Sequence, residues 1–196
     1  MLDPEKLQHY LQLFPTLSGD DLFQLLSLAR PRKLEVGEFF MREGESSPSL
    51  GYVLEGLIRT WHCNEQGEEL TLSLSYEDTV VASHDYILYK HPSRFMYQAM
   101  EPTSLLVMSY DDIESLMAKH PSFEVLRHYF IMNLLGASVK RLESFILLSP
   151  EERYQQWVRE RPGLVQRVPG KYLASLLGIT PVSLSRIRSR IARAKR

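Results

Sequence analysis

"ASLLGITPVSLSRIRSR", residues 174–190, holds a glycine and then a Thr-Pro pair between two short apolar-periodic runs. With Gly170 as the first position of a helix-turn-helix window, Leu173, Leu177, Leu184 and Ile187 fall where two short helices meet. Ala174 is small where the helices cross closely. Gly178 sits at the turn, where a left-handed backbone is needed. Thr180 is placed to cap the second helix and Pro181 fills its first position. A helix over 171–177 is too short to stand alone, so it must pack against its neighbours. In such a motif the second helix enters the DNA major groove by its N-terminal end. That directs Ser183, Ser185 and Arg186 toward a duplex, with the Arg186 guanidinium able to grip guanine O6 and N7 at two points. Arg188, Arg190, Arg193, Lys195 and Arg196 are expected at phosphates, as are Lys171 and Arg167 beside the first helix.

Charge supports the same end of the chain. Residues 151–196 carry 11 Lys/Arg against 3 Asp/Glu, whereas the preceding 150 residues carry 12 against 21. A formal net charge of −1 thus conceals a basic tail on an acidic body, and the tail suits a polyanion. No stretch reaches the roughly 20 apolar residues that cross a bilayer, and the opening "MLDPEKLQHY" is not a secretory leader. Cys63 is the single cysteine, which rules out an intrachain disulfide or a cysteine-ligated iron–sulfur cluster within one chain. The expected location is a reducing cytoplasm, without membrane attachment.

Working back from the terminal motif, Ser149-Pro150 opens a helix with acids early and arginine late, which Pro162-Gly163 is expected to end. Residues 122–148 read as a long helix whose apolar residues cover far more than one stripe, from Phe123 to Leu148. Such a helix is buried on more than one side, and a two-fold partner helix is the economical cover. Residues 32–110 hold short β-branched and aromatic runs separated by turn chemistry, the pattern of a β-sandwich or roll. A short helix is expected within it near 83–90. Residues 3–29 read as helical, with Ser18 as an N-cap.

The whole order resembles the Crp/Fnr family of transcription regulators. "EFFMREGE…LGYVLEGLIRTW…GEE" is similar to the opening of that family's β-roll and "LASLLGITPVSLSRI" to its DNA-binding motif. The resemblance implies an α+β chain in three parts. Residues 1–120 would form a jelly-roll, cyclic-nucleotide-binding-like sensor, 121–148 a dimerisation helix, and 149–196 a small helix-turn-helix domain. It implies a homodimer on an inverted repeat of double-stranded DNA, a small-molecule effector, and RNA polymerase among the candidate partners. On the reading helix the family's usual Arg-Glu pair is replaced by Pro181-Val182. Val182 is therefore expected to meet a thymine methyl, and Thr180 and Lys171 join Ser183, Ser185, Arg186, Arg188 and Arg190 at the DNA.

The effector region diverges. Family members that bind cyclic nucleotides carry Gly-Glu-Leu and, further on, Arg-Ser/Thr-Ala. The aligned positions here are Ala82-Ser83-His84 and Ser93-Arg94-Phe95. The glycine and glutamate are gone and the arginine comes one place late, which in a strand turns it to the opposite face. Ordinary cyclic-AMP binding is not expected. The candidate pocket comprises Ala82, Ser83, His84, Arg94, Phe95 and Tyr97, with Ser138 from the long helix. The sequence contains no nucleophile–base constellation, phosphate-cradling glycine loop or metal-ligand cluster, so no enzyme is expected. The rival reading is a ligand- or protein-binding module that does not touch DNA.

Overall fold

The computed structural model describes residues 17–194; the first expected helix before Leu17, and Lys195 and Arg196, lie outside the described residues. Helix α1 (Gly19–Ser27) starts on a capping box, in which the Ser18 hydroxyl accepts from the Asp21 N–H and the Asp21 carboxylate accepts from the Ser18 N–H. Eight strands follow: β1 (Arg30–Leu34), β2 (Phe39–Met41), β3 (Ser49–Glu55), β4 (Leu57–Cys63), β5 (Glu69–Tyr76), β6 (Val80–Ala82), β7 (Met96–Ala99) and β8 (Thr103–Ser109). They form two antiparallel four-stranded sheets, ordered β1-β8-β3-β6 and β2-β7-β4-β5. The expected short helix is α2 (His84–Tyr89), between β6 and β7.

Strand alternation explains the layers. Ile58 of β4 points inward with Phe40, Val53, Val81, Tyr97, Ala99 and Leu105, filling the space between the sheets. Its neighbours Leu57 and Arg59 point the other way, out of the second sheet. At the β3–β4 corner, Gly56 has φ +107°. A side chain there would run into Thr103 and the Pro102 carbonyl. The tight corner lets the strands turn over against β8.

Beyond the roll, α3 (Tyr110–Lys119) and a 3-10 turn (Pro121–Phe123) lead into α4 (Glu124–Leu147). Phe123 and Leu126 bury against Leu17 and Leu22, anchoring the start of α4 to α1. Four helices complete the chain: α5 (Pro150–Glu160), α6 (Pro162–Arg167), α7 (Gly170–Leu176) and α8 (Pro181–Ala194). Pro162 was expected to end a helix; it also begins one, because proline is well tolerated in a first turn.

These helices do not hang free. Leu173, Leu176, Leu177, Leu184 and Ile187 share one buried cluster with Leu57, and Leu74, Tyr76 and Met100 of the roll pack against it. The outer face of the second sheet is thus the floor on which α7 rests. At its centre Arg59 is fully buried. Its Nε donates to Thr71 Oγ1 at 2.9 Å and its Nη1 pairs with Glu69 at 2.5 Å. Its guanidinium lies 3.7 Å from the ring centroid of Tyr172 on α7. Replacing Gly56 by alanine should lower unfolding stability by about 3 kcal/mol, from the positive-φ strain and the clash with the β8 start together. A fall in the urea midpoint at unchanged slope would show it.

Candidate nucleic-acid interface and effector region

The α7–α8 unit is built as its spacing predicts. Leu173, Ala174, Leu177, Leu184 and Ile187 are all buried. Gly178 has φ +68°, and Ile179 N–H donates to the Ala174 carbonyl at 3.0 Å, closing the turn. The ring of Phe145, from the end of α4, sits against Gly178, where an added Cβ would lie 2.7 Å from it. Arg153 on α5 is buried and caps two carbonyls, donating to Leu177 at 3.2 Å and Leu148 at 2.8 Å. Arg141 adds a bond to the Leu176 carbonyl at 3.3 Å. Thr180 Oγ1 accepts from the Ser183 N–H at 3.1 Å, so the expected cap is formed.

The opposite side of α8 faces outward. Val182 is 59% exposed and lies with Ser185 and Arg186 on the open face, while Ser183 is half-buried in the cap. Arg186 makes no hydrogen bond or ion pair among the described residues. Lys171 is exposed, its ammonium 4.6 Å from the Tyr172 ring centroid. Arg188 donates to the Tyr154 hydroxyl at 3.2 Å, and Arg190 is paired with Glu151, so both lean toward α5.

Arg167 is a correction. It was expected at phosphates, but it is spent on the roll: Nη1 donates to Glu77 at 2.9 Å, Nε to Glu101 at 3.1 Å and Nη2 to the Gly56 carbonyl at 3.0 Å. Hydrogen bonding to Arg167 holds the Glu77 carboxyl down at about 2 and raises the guanidinium's own value. Arg161 donates to the Tyr76 hydroxyl at 3.0 Å, and the Thr71 N–H donates to Ser175 Oγ at 2.8 Å. Sequence reasoning missed this docking surface, including Arg59, Glu69, Tyr172 and Arg153. A residue such as Arg59 reads the same in the sequence whether water or a packed helix covers its side of the sheet. The only signal was the complementary charge of the two halves.

The candidate effector residues do not converge on one open pocket. Ser83 caps α2, its hydroxyl accepting from the Tyr86 N–H at 3.3 Å. Burial lowers the pKa of His84 and raises that of Tyr97. Tyr97 is 1% exposed. Arg94 precedes β7 rather than lying in it, so the alternation argument that would turn it to the wrong face does not apply. Its backbone N–H and the Nε–Nη2 edge of its guanidinium engage Asp85, a residue the sequence reading passed over. Ser138 is elsewhere: it lies on an exposed part of α4, its hydroxyl donating to the Leu134 carbonyl at 2.8 Å.

Residues 130–140 of α4 are exposed on every side, among them Phe130, Ile131, Met132, Leu134, Leu135 and Val139. The expectation of burial on more than one side is therefore not met within one protomer.

Residues 31–120 match the cyclic nucleotide-binding domain. The chain is 27% identical over 148 residues to an anaerobic regulatory protein of Pasteurella multocida, covering 73% of this chain and 52% of that protein. It is 24% identical over 195 residues to the regulatory protein HlyX of Actinobacillus pleuropneumoniae, covering 91% and 79%. Both of these relatives are named as regulatory proteins. Among solved structures, FixK2 from Bradyrhizobium japonicum superposes with a TM-score of 0.70 at 18% identity, covering 85% of this chain and 86% of the other. The chain spans about half the length of several curated relatives that it matches. No helix among the described residues is long and apolar enough to cross a membrane.

The Arg167 clamp carries a pH signature. A carboxyl depressed from 4.5 to about 2 adds stability above its unfolded value, and that stability is lost as pH falls toward 2. Arg167→Met should therefore cost about 1 kcal/mol at pH 7, screened as these groups are. The gap between wild type and variant should hold down to about pH 4.5 and close below it, as read by denaturant melts across pH.

Proposed function

We propose that the chain is a homodimeric, sequence-specific DNA-binding transcription regulator. The observation that carries this is the state of α8: one face is locked into the buried cluster while Val182, Ser185 and the unpartnered Arg186 stand outward at its N-terminal end. A helix held in this way presents side chains to a groove without having to reorganise. The relatives named as regulators support the reading. In it, Arg186 reads a base edge, Val182 meets a thymine methyl, and Ser183 and Ser185 lie at the groove floor or wall. Thr180 fixes the start of the helix. Lys171, Arg188 and Arg193 contact phosphates, and Arg190 does so only by sharing itself with Glu151.

Pairing follows from α4. Ile131, Leu135 and Leu142 share a stripe with alternating four- and seven-residue spacing, and each is about half exposed or more. A second copy packing along it would bury this apolar surface and set two α8 helices across a dyad. We assign residues 1–120 to the sensor-like roll, 121–148 to pairing and 149–196 to DNA reading.

Selection of bound sequences from a random duplex pool tests the reading. It should return an inverted repeat with half-sites about 34–36 Å apart, and binding that weakens steeply with salt. Arg186→Ala should cost about 1–3 kcal/mol, confined to one base pair per half-site. A uniform loss over all sequences would make Arg186 a backbone contact, and an unselective pool would favour a protein-interaction module. The double change Leu135→Glu and Leu142→Glu should give a monomer by sedimentation and abolish repeat binding. A wild-type monomer at micromolar concentration would overturn the pairing.

A further inference from the structure

The roll contains an ion pair of unusual placement. Asp85, in the first turn of α2, is 3% exposed. Its Oδ2 accepts the Arg94 backbone N–H at 2.9 Å, and its Oδ1 accepts Arg94 Nε at 3.0 Å and Nη2 at 2.8 Å. The Arg94 side chain is 71% exposed, so its far edge looks into solvent while its near edge closes over the carboxylate. Close to the pair lie Ser83, Ser93 and Tyr97, all buried. Burial works against the Asp85 charge, but hydrogen bonds from the Arg94 side chain and backbone outweigh it and keep the carboxyl below its ordinary value.

A guanidinium edge with an adjacent backbone N–H is the donor set that a phosphate oxygen pair takes as readily as a carboxylate. The domain that residues 31–120 match is defined by a ligand bearing one such phosphate. We propose that Asp85 is a built-in anion occupying the Arg94 donors, so that the roll excludes cyclic nucleotides and other phosphate ligands until that carboxylate is removed. Asp85 is tethered nine residues from Arg94, and a free ligand must compete with that intramolecular partner. Displacement would also leave a buried carboxylate without its counter-ion, a cost the incoming anion cannot offset. The inference goes further than the loss of the Gly-Glu pair: it names what fills the vacated donors. It concerns the roll alone and stands whether or not α8 binds DNA.

Calorimetric titration of the purified full chain with cyclic AMP, cyclic GMP and inorganic phosphate tests it. Wild type should give no saturable heat up to millimolar ligand. Asp85→Ala should bind at least one of the three roughly tenfold or more tightly than wild type, from the freed charge-assisted hydrogen bonds. That gain should vanish in Asp85→Ala/Arg94→Ala. A nucleotide preferred over phosphate would mean the roll also contacts sugar or base; equal binding would mean a bare anion site, and both support the proposal. Asp85→Asn keeps the side-chain volume and serves if the alanine variant melts early. Wild type binding as tightly as the variants, or cooperatively melting variants that bind none of the three, would overturn it.

Discussion

The stacking of the buried Arg59 guanidinium under Tyr172 is the contact on which this architecture rests. An arginine in the middle of a sheet face is costly to bury without partners. Here it has Thr71, Glu69 and an aromatic face, and the last of these comes from the C-terminal helices. Lift α7 away and Arg59 returns to water, Leu57 and Tyr76 lose their cover, and Thr71 loses the Ser175 hydroxyl. The polar and apolar parts of this interface are therefore coupled, and the C-terminal helices have one strongly preferred seat. Among the described residues, Arg59 Nη2 and Trp61 Nε1 remain buried without acceptors. Unsatisfied donors at an interface of this kind lower the cost of parting relative to a fully paired one.

Electrostatics divides the basic residues of the tail into two groups. Arg153 caps carbonyls, Arg161 and Arg167 bind the roll, and Arg190 meets Glu151. Lys171, Arg186 and Arg193 point their charge outward on the described surface. The acidic body and basic tail noted in the sequence are thus partly complementary halves of one internal contact, on which Arg161 and Arg167 are spent.

What could be read from the sequence was what local chemistry fixes. Gly178 needs a left-handed backbone, Thr180 and Pro181 start a helix, and the Leu173 to Ile187 spacing buries one face; these survive any tertiary context. The roll was legible from strand runs and turn residues, and the short helix expected near 83–90 is present as α2. Residues whose role depends on a distant partner were not legible. Arg167 looks like a phosphate ligand until Glu77 and Glu101 are placed beside it. Arg94 looks misplaced if it is assumed to lie in a strand, and Asp85 has no visible role until the chain folds back nine residues later. Ser138 was assigned by position to a pocket from which its stretch of α4 stands apart.

The long helix has a further consequence, which concerns the order of assembly. At about 1.5 Å per residue, the 24 residues of α4 make a strut roughly 36 Å long. It is fastened at its start to α1 and at its end to the Gly178 turn, and its middle is exposed among the described residues. Because α7 also returns to β5, the fold is a closed ring: roll, strut, C-terminal helices, roll. The bonds that shut the ring join residues 104 apart in sequence, such as Thr71 and Ser175. Contacts of that separation carry a large loop-closure cost and reward it only after both ends are formed. The ring should shut late, after the roll and the terminal helices have each condensed.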